Sequence, residues 1–347
     1  MMARRKKRTL RPEQWENLPD DELCRIRIRD LGLKIEGSWL EPRIEQLYAE
    51  LDARGIQFRP PCYLADEWLC PDKVPMIGIP FCLAHPRLKQ LQEKIMLEVE
   101  GSTEAWCMKL LHHEAGHAIN YAYRLYRRTR WRELFGPFSA PYSDSYLTQP
   151  YSKRYVVHLD DNYAQAHPDE DFAETFAICI TPGNDWRQRY KGLPAMRKLN
   201  YVDALIKDIG PKPPLVTTRE ELSSAARMTS TLGAFYDRMK RYLGEGYPGF
   251  YDPGLQRLFT ASREAGAGAT AASFLRRWRK HIIDSVCMWT GDRKFDVNEL
   301  INSLIRRCTA LGLFLKKGDA ETMSELTAFV TAVMNKIHTF AEQTERK

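Results

Sequence analysis

The 347-residue sequence predicts an α+β fold in which helices dominate. Three observations predict it. Residues 103–128 carry no proline and place apolar side chains at helical spacing. A second helical stretch opens at Pro168 and stops at Thr181-Pro182-Gly183. Between prolines, Val74–Phe81 reads as one short strand, which proline confines to the edge of a small sheet.

Taken in order, residues 1–20 read as a loose basic arm holding Arg4-Arg5-Lys6-Lys7-Arg8. Leu23–Leu33 and Glu41–Arg54 have helical spacing, the second stopped by Gly55. In 103–128, Ser102 or Thr103 caps the start and Glu104 suits the positive N-terminal end. Arg124, Arg127 and Arg128 suit the C-terminal end. Residues 129–158 are rich in Pro, Tyr and Ser, show little periodicity, and supply part of a cleft wall. Met196–Ile209 is a further helix. Gly210-Pro-Lys-Pro-Pro214 marks a boundary between a larger domain, 21–210, and a mainly helical region, 211–347. That last region either packs on the larger domain or binds a protein partner.

Composition limits the function classes. No apolar run approaches the roughly 18 residues of a membrane span. The basic N-terminus lacks the apolar segment of a secretory signal. Eight scattered cysteines without a C-x-x-C pair read as reduced thiols, hence a cytoplasmic protein. Net charge is +7, partly from the arm. No nucleic-acid motif accompanies the arm, so it reads as a solvated tail and not a nucleic-acid contact.

The chemistry lies in His113-Glu114-Ala115-Gly116-His117. Positions i and i+4 share a helix face, so the two histidines can bind one ion, with Glu114 beside them to hold a water. This is the core of a zinc hydrolase. Gly116 costs about 1 kcal/mol of helix propensity relative to Ala, and it lets another backbone come close to the metal. His112 points about 100° away and does not share the metal.

Catalytic zinc uses three protein ligands and an open water position. Candidates lie in Tyr163-Ala-Gln-Ala-His167-Pro-Asp-Glu170-Asp-Phe-Ala-Glu174. The helix dipole accounts for Asp169 and Asp171 in the first turn. Glu174 sits one turn further on among Phe, Ala and Ile, where a carboxylate needs a partner. A zinc-bound histidine needs an acceptor for its other N–H. Glu170 is therefore assigned as third ligand and Glu174 as that acceptor. Spacing leaves the reverse open, and His158, after the strand-like Arg154–Val157, is the rival ligand. His167 reads as a helix-entry residue and His85 as structural.

These motifs resemble a bacterial family of zinc-binding metallopeptidases and the wider gluzincin pattern, including the catalytic domain of anthrax lethal factor. The resemblance runs from about residue 20 to about 205. It includes Ile35-Glu-Gly, Leu64-Ala-Asp-Glu-Trp68, Ile79-Pro-Phe, Leu83-Ala-His-Pro-Arg87 and Phe135-Gly136-Pro137. It implies a zincin-like domain and zinc as cofactor. It also implies Glu170 as third ligand, and Tyr163, seven residues earlier, as a hydrogen-bond donor to the transition state. The expected function is a zinc peptidase acting on a peptide or protein, with Glu114 as general base and Val74–Phe81 pairing with substrate backbone. A zinc-bearing regulatory protein without turnover, or a metal-dependent amidase on a small molecule, would use the same ligands.

Overall fold

A computed structural model describes residues 10–96, 98–142, 149, 152–159, 162–240, 251–261 and 269–345. The fold is mixed α/β and mostly helical. Its contacts divide it into two compact units: Met1–Glu93 with Val99–Tyr236, and Lys94–Glu98 with Asp237–Lys347. Among the described residues no helix is long and apolar enough to cross a membrane.

The first elements are α1 (Asp20–Leu23), α2 (Glu41–Ala53), β1 (Cys62–Ala65), β2 (Ile77–Pro80) and α3 (Pro86–Met96). They are followed by α4 (Glu104–Ala122), α5 (Thr129–Phe135), α6 (Pro168–Ile180), α7 (Trp186–Arg189), α8 (Met196–Ile209) and α9 (Leu232–Lys240). Helices α2, α6 and α8 occupy the expected stretches, and Gly55 stops α2 at a left-handed φ of 80°. Residues 1–9 of the expected basic arm lie outside the described residues. Residues 10–20 are not a loose arm but are anchored at Leu10 and Trp15. Trp15 is fully buried with its indole N–H on the Leu31 carbonyl at 3.0 Å, and Leu10 N–H reaches Asp30 at 2.8 Å.

The expected helix over Leu23–Leu33 is replaced by α1 and a single turn at Ile28–Asp30. Tertiary pairing takes the backbone groups that a helix would use. Ile28 and Arg29 donate to Ser230 and Met228, while Leu232 and Gly233 donate to Ile26 and Cys24. These bonds also tie 228–233 into the first unit, so that unit runs to Tyr236 and not to residue 210.

Helices α4 and α6 form the spine. The Thr103 hydroxyl accepts Trp106 N–H at 3.3 Å and starts α4. The helix stops at Ala122, short of 128, so Arg124, Arg127 and Arg128 lie beyond its last turn. Arg124 turns left-handed at φ 49°, and the Ala122 carbonyl accepts Leu215 and Val216 N–H at 2.8 and 3.0 Å. Helix α6 is buried on every side from Asp169 to Ile180, as a helix through the centre of a core must be. Where α4 and α6 cross, Gly116 faces Ala173. A Cβ added at Gly116 would lie 2.7 Å from the Ala173 Cα and 3.0 Å from its carbonyl oxygen. The close backbone approach that the glycine permits is therefore the neighbouring helix.

The small sheet departs from expectation. β2 pairs parallel with β1, from Cys62↔Ile77 to Ala65↔Pro80. On the other side, Leu69 and Gly78 exchange both backbone bonds, at 3.2 and 2.8 Å. β2 is thus an interior strand at Gly78, because the chain between the two strands folds back to cover its edge.

The second unit contains α10 (Asp252–Leu258), β3 (Phe259–Thr260), α11 (Ala271–Thr290), α12 (Lys294–Ala310), β4 (Phe314–Leu315) and α13 (Asp319–Glu345). Leu275, Ile282, Val286, Ile301, Leu304 and Val330 share its core. β3 and β4 form a two-residue antiparallel ladder.

Replacing Gly116 by Ala should lower stability by about 1–3 kcal/mol despite the better helix propensity, because two backbones must separate. Urea denaturation measures this. Unchanged or raised stability would show that the crossing tolerates a methyl group.

Candidate metal centre

α4 and α6 bring three donors together. His113 Nε2 lies 2.9 Å from Glu170 Oε2, His117 Nε2 lies 3.2 Å from the same oxygen, and the two Nε2 atoms are 3.1 Å apart. Donors about 2.0–2.1 Å from a common tetrahedral zinc are about 3.3 Å apart, so this set fits such an ion with a small outward adjustment. All three residues are buried and together can hold a metal ion.

The remote ring nitrogens are also held. His113 Nδ1 meets Glu174 Oε1 at 2.9 Å, and His117 Nδ1 meets Asp169 Oδ2 at 3.0 Å. An Nδ1–H donated to each carboxylate leaves the Nε2 lone pair directed at the ion position. Each carboxylate is itself fixed. Glu174 Oε2 accepts the backbone N–H of His158 at 3.1 Å and of Leu159 at 2.9 Å. Asp169 accepts Asn120 Nδ2–H at 2.6 Å and the Tyr121 hydroxyl at 2.5 Å.

The geometry thus gives Glu170 to the ion position and Glu174 to an imidazole. His158 is not brought to the triad. Its Nε2 lies 2.9 Å from the Lys109 carbonyl, and burial pushes the ring down to about 4 despite nearby Glu174. His112 turns away toward Glu50 at 2.5 Å and Thr181 at 3.2 Å, bracing α4 between α2 and α6. His85 contacts Trp15 and accepts Arg87 N–H, away from the centre. Asp169 is more than a match for the helix dipole, since it orients His117. Its role had one sequence signal: Tyr121 lies four residues after His117 and shares its face.

Electrostatics follow from burial and pairing. Burial disfavours a charged His113, but its bonds to Glu170 and Glu174 outweigh this and lift it to about 10. Burial likewise opposes charge on His117, yet Glu170 and Asp169 hold it well above the usual range. Burial would raise Glu170, but His117 and His113 bring it down strongly. Glu114 shifts upward, chiefly through burial, with His113 and His117 opposing.

Beside the donors lies a cleft of about 640 Å³. Glu114 lines it, with Trp68, Cys70, Tyr121, Phe138, Tyr142 and Tyr163 around it. The Tyr163 ring stands 5.5 Å from that of His113, and burial keeps its phenol protonated. The 138–142 wall comes from the stretch expected to supply one. No protein-family model, curated protein or solved structure matches the chain.

Ions and protons compete for these rings. Zinc binding at pH 7 should release at least one proton, and the apparent affinity should rise about tenfold per pH unit for each proton displaced. Calorimetric zinc titration at pH 6, 7 and 8 in buffers of different ionisation enthalpy reads both quantities. An affinity independent of pH would show that the rings are neutral before the metal arrives.

Proposed function

We propose that the protein is a zinc-dependent peptidase with a zincin-like catalytic unit, related in chemistry to the gluzincins that its motifs resemble. The observation that carries this reading is the buried His113–His117–Glu170 donor set, with Glu114 beside it in one cleft. Zinc held there would act as a Lewis acid on a carbonyl and acidify a water to a pKa of about 7.

The chain's own residues supply the rest. Glu114 accepts a proton from the attacking water and passes it to the leaving amine. Its upward shift brings it closer to the working pH, which favours transfer in both directions. The protonated Tyr163 hydroxyl donates to the oxyanion that develops on the substrate. Asp169 and Glu174 keep the two rings in the tautomer and orientation that the ion requires.

Substrate backbone pairing, expected on 74–81, moves to 68–70. Leu69 directs its backbone groups to Gly78, so strand alternation directs those of Trp68 and Cys70 to the opposite side. Both residues line the cleft, which supports an extended peptide lying along this segment. All eight cysteines are free thiols, which supports a reducing, cytoplasmic setting. Met288 and Trp289, 75% and 80% exposed on α11, support a protein partner for the second unit.

With zinc-loaded protein and a mixed peptide substrate, Glu114→Gln should keep the metal and lose about 100- to 10,000-fold in kcat. Tyr163→Phe should keep the metal and lose about 100- to 1000-fold. Full turnover by Glu114→Gln would eliminate this mechanism. Full turnover by Tyr163→Phe would make that ring a packing element.

A further inference from the structure

His167 and Tyr142 make a feature that the metal chemistry leaves unused. His167 is 6% exposed and sits at the entry to α6. Its Nδ1 accepts the Asp169 backbone N–H at 3.1 Å, so the ring is the Nε2–H tautomer, and that N–H donates to the Ala140 carbonyl at 3.0 Å. The imidazole is therefore locked at both nitrogens. Its face stacks on Tyr142, with centroids 4.5 Å apart and planes 24° from parallel.

Tyr142 nevertheless leaves 55% of its surface open while lining the cleft. A large aromatic ring pinned on one face by a buried, doubly bonded imidazole, with more than half of its surface open beside the cleft, is a prepared stacking surface. Its surroundings extend it. Phe138 also lines the cleft and stacks on Tyr126 at 4.3 Å and 27°. Phe138 also meets Tyr121 edge-on at 6.2 Å.

We infer that Tyr142, positioned by His167, is a subsite that selects an aromatic side chain of the bound peptide. This rests on the peptidase reading. Aromatic pairs prefer offset stacking and gain beyond simple area burial, so a flat ring profits here more than an aliphatic chain of similar size. His167 acts through Tyr142 and the Ala140 turn, and is a positioning residue. It also links the two halves of the site: the residue that caps the ligand-bearing helix holds the wall that the substrate touches.

The test uses zinc-loaded Glu114→Gln protein, so that peptides bind without turnover. Dye-labelled alanine-based peptides carry one Phe, Leu or Lys, moved position by position, and fluorescence anisotropy reads Kd. At one position Phe should bind about 2- to 10-fold more tightly than Leu. Adding Tyr142→Phe should keep that preference, and adding Tyr142→Ala should remove it. Adding His167→Asn should also remove it while one zinc is retained, because Asn still caps the helix but reaches neither Ala140 nor the Tyr142 face. Equal binding of Phe and Leu at every position overturns the inference. So does a preference for Lys, or a Phe preference that survives Tyr142→Ala. Binding without preference overturns the subsite alone, whereas zinc-loaded protein that binds none of the peptides overturns the peptidase reading with it.

Discussion

The contact between the backbones of Gly116 and Ala173 sets the distance between α4 and α6, and the donor geometry depends on that distance. His113 and His117 flank Gly116 on α4, and Glu170 and Glu174 flank Ala173 on α6. A side chain at residue 116 would hold the helices apart, and donors now 2.9–3.2 Å from one another would no longer meet around a single ion. The glycine therefore exchanges helix propensity for an interhelical spacing that no larger residue permits. Helix α6 is buried from Asp169 to Ile180, which makes its carboxylates costly unless each is compensated.

That compensation constrains the site as strongly as its shape does. Glu114, Asp169, Glu170 and Glu174 are all buried within reach of two imidazoles. Without an ion, the imidazoles offset the negative charge by taking up protons, which is why both shift upward. A divalent cation bound by two neutral rings would supply the same two positive charges, but at the point where the donors converge. Metal and protons would then be alternative solutions to one electrostatic requirement. The Nδ1 bonds to Asp169 and Glu174 persist in both, so the rings need not turn when one replaces the other.

Much of this was legible locally. The i, i+4 histidines, the Thr103 cap, the Pro168 entry and the oddity of Glu174 among apolar neighbours are short-range signals, and each has a short-range physical cause. What escaped was decided at long range. Helical spacing continues past Ala122, but its carbonyl is claimed by residues 215–216. Spacing also suggests a helix over 23–33, yet 228–233 takes those backbone groups. Proline marks Val74–Phe81 as an edge strand, but Leu69 folds back to cover it. Asp169 has an adequate local explanation in the helix dipole, which hides its bond to His117 on another helix.

The two orienting carboxylates are anchored differently. Asp169 is held by Asn120 and Tyr121, side chains of the helix that also carries His117, so that half of the site is braced between α4 and α6. Glu174 instead accepts two consecutive backbone N–H groups, from His158 and Leu159. Its carboxylate thus fixes where the connecting segment returns to the core. His158 adds a second tie, from its ring to the Lys109 carbonyl on α4. Tyr163 follows only four residues after Leu159, and its ring stands against His113, the imidazole that Glu174 also holds. Glu174 therefore holds both the His113 ring and the backbone at 158–159. A residue that looks from its spacing like a simple hydrogen-bond acceptor thus joins the candidate metal centre to the connecting segment at 158–159.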